Sequence, residues 1–226
     1  MKDLTKGKPS RLILAFAIPI FMANILQLTY SIVDTRIVGS YLGENSLAAV
    51  GATTTLSNLM IGFLMGLANG FAIITAQKFG ARDYAGVKKS FALSIKMGCI
   101  IALAITVLCL LFLRKILGFL NVSNDLMGMA VSYIFIIIAG LVATFLYDAC
   151  AAALRALGDT VTPLVSSSLE MVGKIVIAFT LVPLLGYTGV IVAEPLVWFI
   201  MVIPLLVKIY TMPVLRKQPV SVSLKK

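Results

Sequence analysis

The sequence predicts an all-α, polytopic integral membrane protein, a bundle of six transmembrane helices, and three observations carry that reading. Of its 226 residues, 60% are hydrophobic and only 12% charged, with a mean hydropathy of +1.05. Soluble domains are nearer half apolar and a quarter charged. Apolar stretches of roughly 20 residues or more, the length that crosses a bilayer, recur along the whole chain. The charged residues gather between these stretches and at both ends.

Punctuation places the spans near 11–37, 46–78, 86–113, 127–156, 161–184 and 188–211. Span one contains Pro19, which removes a backbone donor and bends a helix. Near its end stands Asp34, with Tyr30, Gln27 and Asn24 four, seven and ten residues before it. Helical counting puts all four on one side, a polar stripe suited to a watery cavity. Arg36, two residues on, offers a competing account in which Asp34 is an interfacial acid neutralised by a snorkelling arginine. Span two contains Gly62, Gly66 and Gly70, a bare stripe that should let another backbone of the bundle approach closely.

In span three, Lys96 reads as a snorkelling lysine near the membrane edge. In span four, Asp148 lies two turns before Arg155 and is expected to be held by it or by a loop. Span five holds Glu170 and Lys174, four apart with the acid first, the favourable order for an intrahelical ion pair. Ser167 extends that polar side by one turn. Span six follows the tight LGYTG turn and holds Glu194 beside Pro195, with Trp198 one turn on. Glu194 has no charged neighbour within a turn, and the kinking proline suits a cavity-lining segment.

Lysine and arginine set the orientation. Lys2, Lys6, Lys8, Arg11, Lys78, Arg82, Lys88, Lys89, Arg155 and Lys208 fall at one side of the alternating spans, as do Arg216, Lys217, Lys225 and Lys226. The other side has only Arg36, Arg114 and Lys115. The positive-inside rule then makes both termini cytoplasmic, as an even number of spans requires, and puts Asp34 toward the outer half of span one. The same distribution explains the net charge of +10 without nucleic acid, since no basic face rich in aromatics exists. Cys99, Cys109 and Cys150 lie inside apolar runs and read as small hydrophobes, and histidine is absent. No small-residue cleavage site follows the basic N-terminus, so the first span is expected to be retained.

Charges inside spans cost about 2.5–3.5 kcal/mol each on insertion scales, so they need partners or a task. If Asp34, Glu170, Lys174 and Glu194 share one cavity, their formal sum is −2, and such a cavity attracts cations. A carboxylate there could switch between protonated and charged, or exchange a proton for Na⁺.

The order of AIPIFMANILQLTYSIVDTRIVGSYLGENSLAAVGA, GLANGFAIITAQKFGARD, LRALGDTVTPL and LGYTGVIVAEPLVW resembles the multidrug and toxic compound extrusion (MATE) transporters. The resemblance runs almost end to end. It implies the N-terminal six-helix lobe of an antiporter in the cytoplasmic membrane, expelling cationic or amphipathic small molecules in exchange for Na⁺ or H⁺. It implies no enzyme activity and no cofactor beyond the coupling ion. In that family the span-one aspartate contributes to a cation site, which carries over to Asp34, with Tyr30 and the helix-bending Pro19 matching as well. Where family members often have asparagine and aspartate in span five, this chain has Glu170 and Lys174, and Glu194 offers compensation.

The family's transporters have two such lobes, and one lobe with no second copy is expected here. Two copies pair, a separate C-terminal half joins, or the chain is a truncated product without transport activity. Beside this stand a flippase for lipid-linked oligosaccharides, which the acidic excess disfavours, and a membrane enzyme. For the enzyme no HExxH, GxSxG or histidine-rich motif is present.

Overall fold

The computed structural model describes residues 9–215; within its helices the side chains at 9, 30–31, 33–35, 37–43 and 178 lie outside the description. The described chain is helical: α1 (Pro9–Gly80), α2 (Tyr84–Phe119), α3 (Asn124–Ala139), α4 (Leu141–Ala156), α5 (Val161–Leu185) and α6 (Tyr187–Thr211). Five stretches are long and apolar enough to cross a membrane: Ser10–Thr29 and Glu44–Gly80 within α1, then α2, α5 and α6. Helices α3 and α4, which meet at 44°, make a sixth when taken as one span.

The helices therefore divide differently from the spans. Helical backbone continues through the GSYLGEN stretch expected as a loop; its two glycines lower helix propensity without forbidding a helix. The two arms of α1 nevertheless lie side by side. Asn24 and Asn69 line one cavity, whereas a straight helix would hold them roughly 70 Å apart at 1.5 Å per residue. The span expected over 127–156 is broken at Gly140, where a Cβ would overlap the indole of Trp198.

Loop chemistry explains the other ends. Asp83 caps α2 by accepting from the Gly86 N–H at 2.8 Å. The α5–α6 turn pivots on Gly186, at φ 58° and ψ −135°, a region essentially closed to other residues. Between α4 and α5, Asp159 accepts from the Thr162 N–H at 3.0 Å and the Thr162 hydroxyl at 2.8 Å. It also pairs with Lys208 of α6 at 3.2 Å. Burial pushes the Asp159 carboxyl up, but these hydrogen bonds and the lysine charge together hold it below the usual carboxylate range.

Two apolar clusters hold the bundle. One centres on Leu64, Ile134, Ile138, Leu141 and Phe145. The other gathers Val87, Leu154, Leu157, Leu205 and Met212 at the end where α1, α4 and α6 finish and α2 begins. Lipid is as apolar as leucine, so close packing rather than water exclusion stabilises these contacts. Gly98 illustrates it, because a Cβ there would collide with the ring of Phe145.

The glycine stripe of span two behaves otherwise than expected. Among the described residues nothing lies within 4 Å of a Cβ built on Gly62, Gly66 or Gly70. All three are exposed, so the stripe faces outward while the buried Leu64 and Ala68 carry the helix contact. Periodicity identified the face, but not which neighbour it met.

Candidate functional site

The polar interior lies between α1, α4, α5 and α6. A cavity of about 240 Å³ is lined by Gln27, Thr54, Ser57 and Asn58 of α1, Tyr133 of α3, and Tyr147 and Asp148 of α4. From α5 come Glu170 and Lys174, and from α6 Glu194, Trp198 and Met201. A second cavity of about 320 Å³ shares Gln27, Tyr147, Asp148 and Glu170 and adds Asn24, Asn69, Arg155 and Ser167. The shared residues form a polar partition between the two spaces.

The α5–α6 hairpin positions the strongest interaction. Because Gly186 permits a tight reversal, α5 and α6 run antiparallel and bring Lys174 against Glu194, Nζ to Oε1 at 3.1 Å. Their side chains are only 13% and 14% exposed, so water screens the pair weakly. The helix pair is further tied by Ser166, whose hydroxyl donates to the Met201 carbonyl. On the partition, the Tyr147 and Ser167 hydroxyls lie 3.3 Å apart, and Arg155 donates to Asn69 Oδ1 at 3.4 Å.

The sequence-derived residues are distributed as follows. Asn24 and Gln27 line the cavities, as do Glu170, Lys174 and Glu194. Tyr30 and Asp34 fall on α1, but their side chains lie outside the described residues. Pro19 and Pro195 stand inside α1 and α6. Pro19 lines a third cavity of about 620 Å³ with Arg11, Asp159 and Lys208, away from the polar partition. Glu194, without a charged neighbour on its own helix, has one across the hairpin.

Sequence reasoning gave Asp148 to Arg155 or a loop. Among the described residues no ion pair joins Asp148 to Arg155, and the Asp148 Oδ2 is buried without a hydrogen-bond partner. The two side chains are seven positions apart on α4, but the hydrogen bond of Arg155 crosses to α1 instead. Asn58 and Asn69 were also missed; each is an amide in an apolar run, the signal already used for Asn24 and Gln27.

The MatE family model matches residues 19–180, well over half of the chain. The chain belongs to the MatE family. This MatE chain is 28% identical over 160 residues to the probable multidrug resistance protein YoeA of Bacillus subtilis, covering 70% of this chain and 35% of that protein. It is 25% identical over 233 residues to the probable multidrug resistance protein NorM of Halalkalibacterium halodurans, covering 98% of this chain and 51% of NorM. The chain thus spans between about a third and a half of these relatives' length.

Solved structures agree on the MatE fold. A crystal structure of MATE in the bent conformation superposes with TM-score 0.84 at 23% identity, over 91% of this chain and 46% of that one. A MOP superfamily transporter from Pyrococcus furiosus, described as having a binding pocket of reverse polarity that suggests a different function, superposes with TM-score 0.83. It is 26% identical over 98% of this chain and 48% of that one.

Proposed function

We propose that this chain is the N-terminal lobe of a Na⁺- or H⁺-coupled exporter of cationic or amphipathic small molecules across the cytoplasmic membrane, with both termini cytoplasmic. One observation carries the reading: charged groups of helices long and apolar enough to cross a membrane line cavities within the bundle, where unpaired charge is costly and marks ion or substrate pathways. Three described carboxylates, Asp148, Glu170 and Glu194, stand there against two cations, Lys174 and Arg155. Multidrug resistance proteins among the relatives support the substrate class.

In this reading Asp34, Glu170, Lys174 and Glu194 handle the coupling ion, with any Na⁺ held near Asp34, and Asn24, Gln27 and Tyr30 line its path. Lys174 supplies a positive charge beside Glu194, and the carboxylates of this interior exchange a cation. Pro19 and Pro195 let their helices bend between states. The substrate path requires a second lobe facing this one. The relatives' greater length supports this arrangement.

The test is efflux of a fluorescent organic cation from proteoliposomes under an imposed Na⁺ or H⁺ gradient. Asp34→Asn should abolish the gradient dependence, and intact coupling would remove Asp34 from the site. Particle mass in mild detergent tests the pairing: a dimer supports two copies, and a monomer that still transports refutes the need for a second lobe. A flippase for lipid-linked oligosaccharides gains support from the interior cations Lys174 and Arg155 and from the similar transporter of reversed pocket polarity. Efflux of the organic cation argues against it.

A further inference from the structure

The carboxyl that no described pairing explains is Asp148. It lies on the wall common to the cavities of about 240 and 320 Å³. Its Oδ2 is closed off from solvent and has no hydrogen-bond partner among the described residues. A bare carboxylate so placed is costly unless something removes or balances its charge.

Among the described residues the surroundings balance it only in part, through the charge of Arg155 seven positions on, which makes no ion pair with it. From α1 it is faced by the neutral amides of Asn24, Gln27 and Asn69, and from α3 by the Tyr133 phenol. On its own helix are the Tyr147 phenol and Arg155, the latter engaged with Asn69. From α5 come Glu170 and Lys174, and from α6 Glu194, which is matched by Lys174 at 3.1 Å. Helix α2, packed behind α4, gives neither cavity a charged side chain; its Cys99 thiol lies near Cys150, two residues beyond Asp148. With every group ionised, the described interior carries three negative charges and two positive ones.

A metal ion suits the site less well. Among the described residues no cluster of three or more histidine, cysteine, aspartate or glutamate side chains is placed to hold one. Arg155 also lines the cavity and would repel a metal cation. A proton needs one oxygen and no coordination shell.

We propose that Asp148 is a proton-binding carboxyl, at a site distinct from the Lys174–Glu194 pair. The proton adds to a carboxylate oxygen of Asp148 and leaves from it again, forming and breaking a single O–H bond and leaving every other bond intact. The use of that proton in transport rests on the exporter reading; its binding does not.

Infrared difference spectroscopy on the full chain in mild detergent, titrated with acid, reads carboxyl protonation directly. The wild type should show a protonated-carboxyl band that Asp148→Asn loses. An undiminished band in Asp148→Asn would overturn the assignment. Should that variant fail to fold, Asp148→Glu should shift the band's frequency and keep its pH dependence, and an unmoved band would equally overturn it. Efflux is measured separately. A wild type that binds the proton without exporting the dye would defeat the exporter reading and leave the proton site standing.

Discussion

Removing Lys174 tests the organisation of the interior most directly. Lys174 Nζ lies 3.1 Å from Glu194 Oε1, with both side chains about 13–14% exposed. At that separation and an effective dielectric of about 20, the attraction is about 5 kcal/mol. Most of it offsets the desolvation of the two ions, so the pair's net worth is far smaller. Deleting one partner is different, because it strands a buried charge and costs about 3–5 kcal/mol. An exposed pair would lose only about 0–1 kcal/mol.

Lys174→Met should therefore destabilise the chain by about 3–5 kcal/mol, and Lys174→Met with Glu194→Gln should recover part of that loss, since Glu170 keeps its charge. The two single changes are not equivalent. Glu170 lines the same cavity one turn before Lys174, so losing the lysine leaves two carboxylates facing each other, whereas losing Glu194 leaves the lysine beside Glu170. Lys174→Met should be the worse variant. The assay is unfolding in mild detergent followed by tryptophan fluorescence. Trp198 is the single tryptophan of the chain and lines this cavity. A coupling energy below about 1 kcal/mol, or Glu194→Gln proving worse than Lys174→Met, would refute the reasoning.

Further expectations concern packing and the loop after α4. Gly140→Ala drives a Cβ into the Trp198 ring, so it should cost about 1–3 kcal/mol and shift the tryptophan emission. Gly66→Ala meets nothing within 4 Å and should be neutral or stabilising by up to about 1 kcal/mol, since alanine is the better helix former; a large loss would place a neighbour on that face. Asp159→Ala removes two hydrogen bonds from Thr162 and the Lys208 pairing, and should cost about 1–2 kcal/mol at neutral pH. The folded Asp159 carboxyl is held below its ordinary range, so its contribution is complete above the unfolded value near about 4 and fades as pH falls through the folded one. Melting temperature should therefore drop on acidification more in the wild type than in Asp159→Asn, and parallel profiles would exclude that role.

The sequence carried the membrane class because hydropathy is a property of each segment alone. It carried the interior positions of Glu170, Lys174 and Glu194 for the same reason, since a charge in an apolar run must avoid lipid whatever the fold. Partners on other helices were not legible. Counting along one helix offers Lys174 its neighbour Glu170, and the reversal at Gly186 adds Glu194 at 3.1 Å from across the hairpin. Asp148 was expected to be held by Arg155 or by a loop; the Arg155 charge does act on it, but the hydrogen bond of Arg155 reaches Asn69 of α1. Likewise, the Gly62, Gly66 and Gly70 stripe was visible as a pattern, but whether it meets protein or lipid depends on how the bundle closes.

Where the helices are interrupted and where the charges lie coincide for a physical reason. Pro195 cannot donate to the Ile191 carbonyl one turn earlier on α6, and the α3–α4 path breaks at Gly140. In hydrocarbon, backbone groups freed in this way are tolerated only when buried in protein or facing a water-filled space. Glu194 stands immediately before Pro195, and Trp198, which fills the space beside Gly140, lines the same cavity as Glu194 and Lys174. The interior that shelters the ionised side chains is thus also the place where broken helical backbone can be satisfied. A charge beside a proline in an apolar run therefore marks a cavity more strongly than either residue alone, because lipid excludes both and one enclosed polar space serves both.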